Sequence, residues 1–201
     1  MKTAYCFDLD GTLTRQELLP LIAASIGLDD EISVLTQATI AGILPFEKSF
    51  KLRVRLLKEA KIELIHRILE TQVDFRHNIL EFIQKNRSNC FVVTGNLDVW
   101  VKPLLNKLGV ESFTSLASLD QEGRLNGVSH ILNKSDAVKS LRKRFDRIVT
   151  IGEGMNDVPM FEVADWRIAF GATHEPNGTL CKLSDFIVYD EGSLCRLLKM
   201  L

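Results

Sequence analysis

The sequence predicts an α/β fold: a doubly wound parallel sheet with Rossmann-like layering, into which a helical-bundle cap is inserted after the first strand. Three observations carry this. The runs Ala4-Tyr5-Cys6-Phe7, Cys90-Phe91-Val92-Val93 and Ile148-Val149-Thr150-Ile151 have the length and apolar content of strands buried on both faces. Helical periodicity fills the intervals that follow residue 73, the pattern of a parallel sheet covered by helices. The interval from about residue 15 to 72 carries almost no strand signal and reads as an inserted helical unit.

Taken in order, the first strand ends at Asp8, and Gly11 permits a sharp turn directly afterwards. Helices are expected near 15–27, 30–41, 46–59 and 61–71, punctuated by Gly27, Gly42 and Pro45. A helix at 75–87 leads into the strand at 90–93, and a helix at 98–108 follows. Segments at 112–119 and 125–130 around Glu122-Gly123 predict a hairpin. A helix at 135–145 then leads to the strand at 148–151. Strands near 167–170 and 186–189 and a closing helix at 192–200 complete the chain. The expected division is a core of residues 1–14 and 73–201 and a cap of residues 15–72.

The chain has 201 residues, 46% hydrophobic and 25% charged, enough to bury a substantial core. With 25 basic and 26 acidic residues it has no global field to attract nucleic acid or an anionic membrane, so a small molecule is the expected partner. The basic cluster Lys139, Arg142, Lys143, Arg144 and Arg147 reads as a solvated helix face. Four cysteines without C-x-x-C spacing predict reduced thiols and a cytoplasmic location. The four histidines lack metal-ligand spacing and read as structural or exposed. The apolar stretch 18–28 is too short to span a bilayer.

Chemistry concentrates in loops that follow apolar strands. Alternation along the first strand predicts that Asp8 and Asp10 share one side, at the carboxyl edge where open α/β sheets bind ligands. Val92-Val93 runs into Thr94-Gly95-Asn96, which offers a hydroxyl and an unobstructed backbone N–H, both suited to phosphoryl oxygens. Ile151 runs into Gly152-Glu153-Gly154-Met155-Asn156-Asp157. Singly, each loop is also readable as a turn or helix cap, with Asn96, Asp98, Asn156 or Asp157 as the capping residue. Three such loops after three strands point to a site.

These residues resemble the haloacid dehalogenase superfamily of phosphotransferases, whose four motifs are matched in order by Asp8-Leu9-Asp10-Gly11-Thr12, Thr94-Gly95-Asn96, Lys134 and Gly152-Glu153-Gly154-Met155-Asn156-Asp157. The helical insert, above all residues 42–57, is similar to the cap of the phosphoserine phosphatase branch. Family members usually carry Asp where this chain has Glu153, and often Met where it has Ile40.

The resemblance implies a Mg2+-dependent phosphomonoester hydrolase acting on a small phosphorylated metabolite, with O-phosphoserine and serine biosynthesis foremost. Asp8 would be the nucleophile that forms an aspartyl phosphate, and Asp10 the acid and then the base. Mg2+ would be held by the Asp8 carboxylate, the Asp10 carbonyl and Glu153, supported by Asp157. Thr94, the Gly95 N–H and Lys134 would hold phosphoryl oxygens, with Asn96 and Asn156 lining the site. The alternatives are a phosphatase or phosphotransferase for another small amine or alcohol, or a weakly active phosphate- or metal-binding regulatory module.

Within the cap, a helix at 46–59 places Phe46, Phe50, Arg53 and Leu57 on one face, and Lys48, Lys51, Arg55 and Lys58 on the other. A guanidinium in an apolar stripe calls for a partner, either an internal salt bridge or a substrate carboxylate. By the resemblance, Arg53 would hold the substrate carboxylate, Glu17 would receive its amino group, and Phe46 would shield the site. Thr14-Arg15-Gln16-Glu17 also fits a capping box.

Overall fold

A computed structural model describes all 201 residues. Its centre is β1 (Thr3–Phe7), flanked in one seven-stranded sheet by β2 (Cys90–Leu97), β3 (Glu111–Leu119), β4 (Leu125–His130), β5 (Arg147–Gly152), β6 (Trp166–Phe170) and β7 (Phe186–Val188). The spatial order is β4-β3-β2-β1-β5-β6-β7. Neighbours pair in parallel except β3 and β4, which form the antiparallel hairpin predicted around Glu122-Gly123. Because the chain builds outward on both sides of β1, a crevice opens at the carboxyl ends of β2, β1 and β5.

Four helices intervene between β1 and β2: α1 (Leu18–Ala24), α2 (Asp29–Ile40), α3 (Phe46–Leu57) and α4 (Ile62–Gln72). Residues spaced by three and four form their buried stripes: Phe50, Arg53, Val54 and Leu57 on α3, and Ile65, Ile68 and Leu69 on α4. The opposite face of α3, with Lys48, Lys51, Arg55 and Lys58, is exposed as the sequence predicts. The remaining helices are α5 (His77–Lys85), α6 (Asp98–Leu108), α7 (Lys134–Leu141), α8 (Val158–Phe161), α9 (Gly178–Leu183) and α10 (Glu191–Leu198). α4 packs along α6, and α3 approaches the hairpin strand β4.

Strand alternation splits the interior into two cores. Tyr5, Phe7, Val92, Val149, Ile151, Ile168 and Phe170 point to one face, where Ile79, Phe82 and Ile83 of α5, Trp100 of α6 and Leu194 of α10 cover them. Ala4, Cys6, Phe91, Val93, Ile148 and Ala169 point to the other, under Val138 of α7, Met160 of α8 and Leu180 of α9. All four cysteines are free, and no helix is long and apolar enough to cross a membrane.

Local departures from the expected elements have identifiable causes. α1 starts at Leu18 rather than residue 15, because Thr14 bridges to Phe75 and the Arg15 N–H bonds the Asp74 carbonyl. The capping box therefore does not form: the Thr14 hydroxyl donates to the carbonyls of Leu9 and Gln16, and the Glu17 side chain caps nothing. β2 continues through Thr94-Gly95-Asn96 to Leu97, since its register to β3 shifts between Val93 and Leu97 and pairing then resumes. α7 ends at Leu141, four residues short of the expected end. Helix α9, capped by Asn177, falls where no element was expected.

Candidate active site

Asp8 is the first residue beyond β1, with its N–H still bonded to the Ile151 carbonyl at 3.0 Å. Asp10 is not on the strand. It lies in an irregular turn over Leu9–Leu13, where Gly11 adopts φ +68°, a conformation costly for a residue with a Cβ. The two aspartates thus meet through the turn and not through strand alternation, which corrects the expected geometry. The Asp10 carboxylate is held by the Leu18 N–H at 3.0 Å and by the Asn96 amide.

One pocket brings together Asp8, Asp10, Glu17, Phe46, Arg53, Gly95, Asn96, Glu153 and Asn156 from the predicted set. Thr94, Lys134 and Asp157 stand behind that wall. Thr94 is fully buried, and its hydroxyl oxygen accepts the Asn96 N–H at 3.2 Å. Lys134, the first residue of α7, donates to Asp8 Oδ1 at 2.6 Å and Asp157 Oδ1 at 2.7 Å. The other Asp157 oxygen accepts the N–H groups of Glu153 and Gly154 at 2.9 and 3.0 Å, fixing the turn that carries Glu153. Asn96 and Asp98 do not cap α6: the Asn96 amide reaches Asp10, and the Asp98 carboxylate accepts the Ala117 N–H.

Burial and like charge shape the acids. Removal from water, reinforced by Asp157, raises the Asp8 pKa well above the ordinary carboxylate range despite the opposing Lys134 charge. Burial, then Glu17, pushes Asp10 up to about 7. Burial does most to push Glu153 up to about 10, with Glu17, Asp8 and Asp157 adding to it. Lys134 responds in the opposite sense. Burial disfavours its charge, but Asp157 and Asp8 outweigh that cost and hold its pKa above the usual lysine value.

Glu153 is 3% exposed, and neither of its carboxylate oxygens has a hydrogen-bond partner. Lys134 is occupied by two other carboxylates, so this acid cluster is short of positive charge and its donor set fits a hard divalent cation. Arg53, 5% exposed, donates to the Thr36 hydroxyl at 3.1 Å and forms no internal salt bridge. Its Nε is buried without a partner, and the side chain lines the pocket. Phe46 stacks on Phe50 with centroids 5.3 Å apart.

Three residues outside the predicted set also reach the site. The Thr173 hydroxyl donates to the Gly11 carbonyl at 2.7 Å, and buried Arg76 donates to the same carbonyl at 3.4 Å. His174 Nε2 lies 3.3 Å from Glu17 Oε1 and 3.9 Å from Glu153 Oε1. No local spacing marks these residues, because only packing brings the loop after β6 and the start of α5 behind the first turn.

The family model for haloacid dehalogenase-like hydrolase matches residues 6–162. A phosphoserine phosphatase of Methanocaldococcus jannaschii is 29% identical over 85% of this chain and 86% of its own length. That of Archaeoglobus fulgidus is 27% identical over 85% of this chain, which spans about half, 53%, of the relative. A solved structure described as a phospho-aspartyl intermediate analogue of phosphoserine phosphatase superposes with a TM-score of 0.86 at 27% identity, covering 100% of this chain and 99% of the other. With the motif loops on one sheet edge and the family match running through all of them, the chain belongs to the haloacid dehalogenase-like hydrolase family.

Proposed function

We propose that the chain hydrolyses O-phosphoserine through an aspartyl phosphate on Asp8, with Mg2+ as cofactor. The observation that carries this reading is the gathering of Asp8, Asp10 and Glu153 beneath Arg53 and Phe46 in one pocket. The matched phosphoserine phosphatases support the substrate class. The proposed division of labour assigns residues 1–14 and 73–201 to catalysis and 15–72 to substrate selection. Reduced, free thiols fit a cytoplasmic enzyme.

In the first step an Asp8 carboxylate oxygen attacks phosphorus in line, and the bond from phosphorus to the serine oxygen breaks. Asp10 donates its proton to that departing oxygen, a role suited to a carboxyl group whose pKa is pushed up to about 7. In the second step water attacks phosphorus, Asp10 takes the water's proton, and the Asp8 carboxylate is released with inorganic phosphate. Lys134 orients Asp8 and offsets its charge. The Gly95 N–H is the proposed donor to the phosphoryl oxygens, with Asn96 and Asn156 flanking it. Thr94, buried behind the pocket wall, would support that strand by accepting the Asn96 N–H rather than touch the phosphoryl group as the sequence suggested. The carboxylates of Asp8 and Glu153 and the Asp10 carbonyl would hold Mg2+, with Asp157 fixing the Glu153 turn. That cation would supply positive charge against the oxygens that become more negative during transfer.

Arg53 would pair with the substrate carboxylate through its open donors, and Glu17 would receive the ammonium group. Phosphate release from a panel of small phosphomonoesters, with and without Mg2+, tests the proposal. Phosphoserine should lead the panel, chelation should remove turnover, and Asp8→Asn should abolish it. Undiminished turnover in Asp8→Asn would overturn the covalent route.

A further inference from the structure

We propose that Asn177 is a positioning residue that latches the helical unit between β1 and β2 onto the sheet edge, its carboxamide holding the carboxyl end of α2 and its backbone holding the Glu153 turn. The inference rests on the proposed hydrolysis for its kinetic consequence alone. The latch is a contact between two parts of the chain, and none of its polar atoms is assigned to substrate or cation.

Asn177 uses all four of its polar groups. Its N–H donates to the Glu153 carbonyl at 3.0 Å, and its carbonyl accepts the Cys181 N–H at 2.9 Å. The side-chain oxygen accepts the Thr179 N–H at 2.8 Å and so caps α9. The amide nitrogen then points the other way and crosses to α2, donating to the carbonyls of Ala41 at 3.2 Å and Ile40 at 3.4 Å. A serine or aspartate would cap α9 as well, so capping leaves that nitrogen without a purpose.

The acceptors are ready for it, because a helix leaves its last carbonyls without intrahelical donors. The N–H groups of Ile43 and Leu44 both turn back to the Ala38 carbonyl, and that of Gly42 turns back to Thr39. A second, independent observation is the closeness of the fit. A Cβ on Gly42 would come 2.8 Å from Met155 Cγ and 3.8 Å from Asn177 Nδ2, so the turn after α2 is seated on both residues at once.

Helix α2 in turn holds α3. The Thr36 hydroxyl accepts from Arg53 at 3.1 Å, and the Thr39 hydroxyl donates to that of Ser49 at 2.6 Å. Thr36, Thr39 and Ile40 also line the pocket. A seat for the end of α2 is therefore a seat for Arg53, and it stabilises the closed pocket without touching what the pocket contains.

Amide hydrogen exchange of the full chain, followed by NMR without substrate, tests the latch. Asn177→Ser keeps an oxygen to cap α9 and removes the donor to α2. Exchange at Ala41, Gly42, Ile43 and Leu44 should quicken about fivefold, the worth of about one net hydrogen bond, while exchange in α9 changes less than about twofold. In phosphate release the same variant should raise KM about fivefold for phosphoserine and phosphoethanolamine alike, with kcat within about twofold, because a latch acts whichever substrate fills the pocket. Unchanged exchange at residues 41–44, or quickening confined to α9, would overturn the proposal. So would a KM that stays the same or rises for phosphoserine alone. If wild type releases no phosphate, the proposed reaction fails while the exchange result still decides the latch.

Discussion

The Phe46 ring is seated against the backbone of Gly95: a Cβ built on Gly95 would lie 3.0 Å from Cε1 and 3.1 Å from Cε2. A residue at the start of α3 thus rests on the carboxyl-terminal part of β2, and the missing side chain is what lets it do so. Stacking on Phe50 limits how far the ring can retreat.

Gly95→Ala is therefore expected to displace Phe46 and lower kcat/KM about tenfold or more, since small misplacements at a reacting centre are costly. Combining it with Phe46→Ala should recover part of the loss, because the clash then has no second party. A double-mutant cycle on kcat/KM checks this. Strict additivity of the two effects would show that the contact is not the cause.

Lys134 is the only hydrogen-bonding cation on Asp8 and Asp157, and all three side chains are buried. Lys134→Met should leave two buried carboxylates without their counter-ion and destabilise the fold by about 3–5 kcal/mol. Urea unfolding at neutral pH measures it. A change below about 1 kcal/mol would mean that the carboxylates find other partners.

Arg53 has no carboxylate partner of its own, which is what the proposed pairing with a substrate carboxylate requires. Arg53→Ala should erase most of the wild-type preference for phosphoserine over phosphoethanolamine, a loss of about 1.5–3 kcal/mol or about one to two decades in kcat/KM. Competition between the two substrates reads this directly. An unchanged ratio would remove Arg53 from carboxylate recognition.

Asp185 is paired with Arg167 through side-chain bonds at 2.8 and 2.9 Å, which hold its pKa below the usual carboxylate range. A depressed folded-state pKa stabilises the fold above the unfolded value of about 3.9, and that contribution fades as pH falls through the folded value. The Asp185→Asn deficit, about 1 kcal/mol at neutral pH for a partly exposed pair, should accordingly vanish in acid. Urea midpoints of wild type and variant at pH 7 and pH 3 compare the two regimes. A deficit that persists unchanged at the lower pH would assign it to packing.

Much of this chain is legible from local pattern. The runs at Ala4, Cys90 and Ile148 are apolar throughout because strands covered on both faces have no solvated side to encode, and they became β1, β2 and β5. Arg53 was conspicuous because it interrupts the buried stripe of α3. Lys134 is different: a lysine at a helix start reads as solvated, and only resemblance to known motifs singles it out in the sequence, whereas in the fold it is buried.

The tertiary structure decided what depends on meetings across the sequence. Thr14-Arg15-Gln16-Glu17 satisfies a capping rule locally, yet pairing with Phe75 and Asp74 outcompetes it. Asp10 leaves the strand because the Gly11 turn, gripped by Thr173 from 162 positions away and by Arg76 from 65, bends the chain there. His174 carries no spacing signature, and its place beside Glu17 and Glu153 comes from loops held to one sheet edge. Periodicity records which side of an element faces the interior, a property of neighbours in the chain. Which distant side chains share a pocket is set by how the packed elements bring their loops together, and no local pattern contains that distance.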